Sequence, residues 1–303
     1  MVPLWRAAAV LALAASAGAA QQPTFRSGVD LVTFGASVTD RKGGLVTGLA
    51  AADFIVEEDG VRQTLQYFAD GGGDGPAPEL HLGLLLDVSE SMGDDIAFTK
   101  TAAVKFLNTL VDAVDVTVVD FDTEVRVARY PQSEFARLIE RIRQGKARGW
   151  TALYDAIGVY LDGASGRGGR TIMLLYTDGG DTRSALSLPE LLDLLKASDV
   201  TVYAIGELEH QSPSGATEAR MMLQRIADVT GGRAFFPTSV KELDRVYEQV
   251  VGEIRAQYTL GYVSTNTKAD GRWRKVEIKV VRRDGRDVHV RARKGYFARY
   301  VKP

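Results

Sequence analysis

The chain contains no cysteine. That excludes a disulfide framework, a thiolate zinc site, a cysteine nucleophile and a lipid-modified N-terminal cysteine. Stability must then come from the core and from any bound metal. Histidine is scarce: His81, His210 and His289 are the three in 303 residues. None stands at a spacing that suggests a relay to a serine. A G-x-S-x-G elbow, a Walker A loop and a dinucleotide fingerprint at a strand end are all missing, so the sequence offers no catalytic machinery. The formal net charge of -2 gives no global pull toward nucleic acid or an anionic membrane. Beyond the first twenty residues, no stretch is apolar enough to span a bilayer.

Composition is otherwise that of a globular protein, 45% hydrophobic and 25% charged, long enough for more than one domain. At the N-terminus, Arg6 precedes an apolar stretch over 7–17, then Ala17-Gly18-Ala19-Ala20 and polar Gln21-Gln22. This predicts a secretory signal peptide over 1–20, cleaved near Ala19 or Ala20. The stretch is short of the roughly 20 residues that cross a bilayer; an uncleaved anchor or a buried helix is the alternative. The mature chain is therefore expected to be secreted or periplasmic, without a transmembrane segment.

Composition breaks divide the remainder. Segment 71–78, Gly71-Gly72-Gly73-Asp74-Gly75-Pro76-Ala77-Pro78, is a linker that cannot hold regular structure. Before it, 21–70 reads as strands: a β-rich run over 29–38, then runs at 54–58 and 61–68 flanking Asp59-Gly60, a hairpin signal. After it, in 79–256, apolar strand patterns at 82–86, 116–121, 124–128, 171–176, 200–205 and 233–236 alternate with helical ones. That alternation predicts an α/β, doubly wound, mostly parallel six-stranded sheet with helices on both faces. From 257 to 303 the period of two returns: Val276, Ile278, Val280 and then Val288, Val290, Ala292 alternate with polar residues, with Asp284-Gly285 between them read as a hairpin turn. Each terminal β segment is too small to bury a core alone. They are expected to pack as one small all-β domain into which the α/β domain is inserted.

Three short motifs carry the chemistry. Asp87-Val88-Ser89-Glu90-Ser91 follows the first α/β strand, Thr151 lies in Gly149-Trp150-Thr151, and Asp178 lies in Thr177-Asp178-Gly179-Gly180-Asp181 after the fourth. In open α/β sheets, ligands bind beyond the carboxyl ends of strands where strand order reverses. A 3-2-1-4-5-6 order makes the first and fourth strands neighbours there and gathers these oxygens in one crevice. Hydroxyls of Ser89, Ser91 and Thr151, with the carboxylates of Asp87 and Asp178, suit one hard divalent cation: magnesium, or manganese or calcium. With little direct anionic coordination, such a site stays electrophilic enough to take a carboxylate from outside.

In order and spacing, Asp87-x-Ser89-x-Ser91, Thr151 and Thr177-Asp178-Gly179-Gly180-Asp181 resemble the metal-ion-dependent adhesion site of von Willebrand factor A domains, as in integrins, over roughly residues 80 to 255. The flanks, with Asp53-Phe54-x-Val56-x-Glu58-Asp59-Gly60 and Arg293-Lys294-Gly295-Tyr296, are similar to bacterial secreted "VWFA-related" proteins of the Acidobacteria type. The resemblance implies that Ser89, Ser91 and Thr151 coordinate directly and that Asp87 and Asp178 act through water. It also implies a protein ligand presenting an Asp or Glu carboxylate, and a last helix near 241–254 that shifts in integrin-like switching. The expected function is thus a metal-dependent protein-binding module and not an enzyme. The alternative is a scaffold or accessory subunit whose metal only holds loops together.

Other residues near the motifs have plainer expectations. Asp181 should brace its loop, Asp94 and Asp155 should sit in first helical turns, and Glu90 should lie at the rim. Trp150 and Tyr154 are either exposed contacts or buried beneath the loop. The basic stretch 272–294 is read as a solvated face, interrupted by Glu277, Asp284 and Asp287.

Overall fold

The computed structural model describes residues 31–72, 78–93, 96–109, 112–281, 285 and 287–301. The expected signal peptide, most of the Gly/Pro linker, Asp94 and Asp284 lie outside the described residues.

The chain runs β1 (Leu31–Asp40), β2 (Phe54–Glu58), β3 (Val61–Gln63), β4 (Leu65–Ala69), β5 (Leu80–Asp87), α1 (Ile96–Thr109), β6 (Ala113–Phe121), β7 (Val125–Pro131), α2 (Phe135–Gln144) and α3 (Leu153–Ala164). It continues through β8 (Arg170–Thr177), α4 (Leu188–Ala197), β9 (Thr201–Gly206), α5 (Pro213–Val229), β10 (Arg233–Phe235), α6 (Val240–Ala256), β11 (Tyr258–Val263), β12 (Trp273–Val280), β13 (Val288–Arg291) and β14 (Gly295–Phe297).

The central sheet has the order β10-β9-β8-β5-β6-β7, parallel except for β7. Counted within this unit, that is the expected 3-2-1-4-5-6 order. Strand β5 is buried along its whole length, as a strand covered on both faces must be. Its side chains alternate between two cores. Leu82, Leu84 and Leu86 pack with α1, α2 and α6, while Leu85 packs with α3, α4 and α5. Helix starts follow local chemistry: Ser212 and Ser239 cap α5 and α6 by accepting the Gly215 and Glu242 amides.

The terminal segments form two four-stranded sheets, β13-β1-β11-β4 and β14-β12-β2-β3, each mixing strands from before and after the α/β unit. Phe34, Val38, Phe54 and Val56 share one core with Tyr258, Leu260, Tyr262 and Val276. Asp59 and Gly60 have φ of 48 and 81 and close the β2–β3 hairpin, Glu58 facing Val61, the left-handed geometry a two-residue turn requires.

Two local expectations are corrected. Residues 61–68 are not one strand: β3 pairs with β2 in one sheet and β4 with β11 in the other, so the chain changes sheets at Thr64. Strands β12 and β13 are not hairpin partners either. Strand β12 pairs with β2 and β14, whereas β13 pairs with β1 in the opposite sheet. Val276, Val288, Val290 and Ala292 all line the same core, so an inward alternation reads the same for strands that pair and for strands that face each other. On the basic stretch, Lys279 pairs with Glu57 at 2.7 Å and Lys275 with Glu277 at 2.5 Å.

The sheet β13-β1-β11-β4 meets the α/β unit at the amino ends of its strands. Arg291 donates to the Gly231 carbonyl and pairs with Glu253, and Arg293 donates to the Ser198 carbonyl. The carboxyl ends of the central strands, where the metal motifs lie, therefore face away from this mount.

Candidate metal centre

Strands β5 and β8 are hydrogen-bonded neighbours with Leu86 opposite Tyr176. Their last residues thus deliver Asp87 and Thr177 side by side, and Asp178 one position further. Asp87 is fully buried. Its Oδ1 accepts the Ser89 amide at 3.0 Å and the Ser89 hydroxyl at 2.6 Å, and its Oδ2 accepts the Thr177 hydroxyl at 2.6 Å. Ser89 Oγ lies 3.1 Å from Ser91 Oγ. Ser89 is buried, whereas Ser91 is exposed, so this hydroxyl pair runs from the floor of the crevice to its surface.

Thr151 reaches the same place on a braced loop. The Glu90 amide donates to the Gly149 carbonyl and the Arg148 amide to the Val88 carbonyl, tying this loop to the Asp87 motif. Gly149 has φ +71, and a Cβ there would stand 2.5 Å from Thr123 Oγ1, so the turn admits no side chain at that point. On the other side, the Thr151 carbonyl accepts the Thr182 and Arg183 amides, and its amide donates to Thr182 Oγ1. The structure thereby brings all three motif segments to one rim. Thr151 and Asp178 are both buried; Asp178 Oδ1 accepts the Gly180 amide.

Burial pushes the Asp87 carboxyl up to about 7; the Ser89 and Thr177 hydroxyls oppose this and nearby Asp178 reinforces it. No basic side chain is among these influences on Asp87. The donor set fits a hard divalent ion in two further ways. All five donors are oxygens, with no nitrogen or sulfur. The 3.1 Å spacing of the Ser89 and Ser91 hydroxyls is close to the edge of an octahedron with metal–oxygen bonds of about 2.1 Å, roughly 3.0 Å.

The neighbouring residues take definite roles. Asp181 Oδ1 accepts the Tyr154 amide and the Ser184 hydroxyl, bracing the loop. Asp155 does more than sit in the first turn of α3: its carboxylate accepts the Ala185 and Leu186 amides across the crevice wall. Trp150 is 67% exposed at the rim, while Tyr154 is half-buried against the α3–α5 core. Glu90 is exposed. His81 lies at the opposite end of β5, paired with Asp115. His210 is exposed on the loop whose Gln211 Nε2 donates to the Asp178 carbonyl.

Sequence reasoning missed Asp122. It is buried, accepts Arg126 through both carboxylate oxygens and Arg148 Nε at 3.1 Å, and its carbonyl takes the Ala152 amide. It thus holds the Thr151 loop from below. Its position just past the carboxyl end of β6 matches that of Asp178 after β8 and was the available signal.

A family model of the von Willebrand factor type A domain matches residues 81–249. No curated protein matches. Among solved structures, the chain is similar to a von Willebrand factor type A protein from Catenulispora acidiphila, at 14% identity and TM-score 0.47, over 90% of this chain and 76% of that one. It is also similar to the vWF domain of the type V pili tip protein Mfa5 from Porphyromonas gingivalis, at 11% identity and TM-score 0.47, over 59% and 97%. A third is proximal thread matrix protein 1 from the mussel byssus with a zinc-occupied MIDAS motif, at 22% identity and TM-score 0.46, over 58% of this chain and about half, 48%, of that one.

Proposed function

Because this chain belongs to the von Willebrand factor type A domain family, we propose that it is a metal-dependent protein-binding module whose crevice accepts an acidic side chain of a partner. Ser89, Ser91 and Thr151 would hold a divalent cation, magnesium by preference for hard oxygen donors, with Asp87 and Asp178 supplying the balancing charge. When bound, that cation supplies an electrophilic point for an outside carboxylate. Asp87 orients Ser89 through its amide and hydroxyl, and the Asp122 and Asp181 contacts fix the two flanking loops.

The observation that carries this reading is the hydroxyl pair at 3.1 Å, anchored on buried Asp87 and opening at exposed Ser91. An ion held there meets the solvent, which favours docking over a sealed structural site. Exposed Trp150 beside it is the residue type that anchors protein interfaces. The reading includes a leader over 1–20 that takes the chain to the periplasm or outside, and a β mount from 21–70 and 257–303 that presents the unit 79–256. No described helix is long and apolar enough to cross a membrane.

A pull-down from envelope extract tests it, using wild type with magnesium, wild type with EDTA, and Asp87→Ala. Partners should be retained only by the first. Retention of the same partners in all three would reject metal-dependent docking.

A further inference from the structure

At the amino ends of β8 and β9, far from the metal motifs, a cavity of about 30 Å³ lies where the mount meets the α/β unit. Thr33, Arg170, Thr201, Thr259 and Arg293 line it, with exposed Asp199. The alternation along β11 explains Thr259: Tyr258, Leu260 and Tyr262 fill the sandwich core, so Thr259 projects from the opposite face toward the α/β unit. Thr259 is more than nine-tenths buried, and its hydroxyl has no hydrogen-bond partner; Arg170 Nε is likewise buried and unpartnered. Such orphaned donors are costly unless an acceptor comes to them.

The charges point the same way. Among the described residues, Arg170 donates to the Ile254 carbonyl, and Arg293 donates to the Ser198 and Thr33 carbonyls and lies over the Phe34 ring. Neither guanidinium is spent on a carboxylate. The lining thus carries two guanidiniums and one carboxylate, an excess of one positive charge. The space is small, about 30 Å³, against roughly 10–15 Å³ for a single water, which suits a small anion, and a dianion would overcompensate the charge.

We propose that this cavity is a binding site for a small monovalent anion of chloride or formate size, held by Arg170 Nε from the α/β unit and Thr259 Oγ1 from the mount. The anion would tie the two together.

The test is thermal unfolding of the full chain in EDTA, which keeps the metal centre silent. Sodium chloride and sodium formate are titrated against sodium gluconate at matched ionic strength, gluconate being too large to enter. The midpoint should rise and saturate with chloride and formate alone. Thr259→Val, which removes one donor at constant volume, should weaken apparent affinity about tenfold or more, and Arg170→Leu should abolish saturation. Arg137→Leu, on the exposed face of α2, should behave as wild type. Bromide-soaked crystals should place an anomalous peak beside Arg170 Nε. An identical response to gluconate, a rise that never saturates (an adventitious ion only), or unchanged affinity in Thr259→Val would overturn the assignment.

Discussion

The Thr177 hydroxyl donates to Asp87 Oδ2 across 2.6 Å, binding the last residue of β8 to the last residue of β5. With Ser89 on Oδ1, both carboxylate oxygens of Asp87 already serve protein donors. Asp87 is therefore an anchor that sets the direction of Ser89, and of the serine pair Ser91 is the exposed member.

Asp178→Ala should erase metal-induced stabilisation. A ligand that binds only the folded state adds about 2.7 kcal/mol when present at a hundred times its Kd. Wild type should gain a stabilisation of that order with magnesium and the variant none. Equal melting shifts in both would count against Asp178 as part of the site.

Asp122→Ala should loosen the Thr151 loop. The cost in stability should be about 1–3 kcal/mol, held to the lower half because Arg148 is largely exposed and can be resolvated. Magnesium affinity, read by titration calorimetry, should fall roughly tenfold or more, as supporting residues around metal ligands do when removed. Unchanged affinity would reduce Asp122 to a fold residue.

Acid should weaken the fold through Asp115. Burial works to raise its carboxyl, but the hydrogen bonds from Arg129 and His81 prevail and hold it below the usual range. Arg167 stands at 3.7 Å, Tyr160 lies near, and Glu79 approaches His81. A depressed folded value means that this stabilisation is complete above the unfolded value of about 3.9 and is lost as pH falls through the folded one. Urea unfolding from pH 6 to pH 3 should show a steeper acid loss in wild type than in Asp115→Asn. The variant should be weaker by about 1.5–3 kcal/mol at pH 7. Parallel pH curves would sink the idea.

Glu58→Ala should destabilise the mount. This buried carboxylate accepts the hydroxyls of Tyr262 at 2.9 Å, Tyr296 at 2.9 Å and Ser264 at 2.6 Å, joining residue 58 to a segment some two hundred positions away. A loss of about 1.5–3 kcal/mol is expected, measured by denaturant unfolding, with the magnesium response intact. A loss under 0.5 kcal/mol would show that the three hydroxyls find other partners.

The central sheet was readable because its strands are continuous apolar runs between helical periods, with β5 ending on Asp87 and β8 followed at once by Asp178. Thr177, Asp122 and Asp155 were not readable as supports. The contacts that make them supports lie 90, 26 and 30 positions away, and only Asp122, by its place after β6, carries a local signal. The mount shows the same limit. Asp59-Gly60 announces its turn because two left-handed residues are needed there, whereas no such marker stands at Thr64, where the chain leaves one sheet for the other.

The mount carries a mechanical consequence. Ala69 and Thr259 are register partners on adjacent strands β4 and β11, and the whole α/β unit is strung between them. A tug on the α/β unit would reach the mount through both strands from the same end and in the same direction, so the load is shared between them and does not part their ladder.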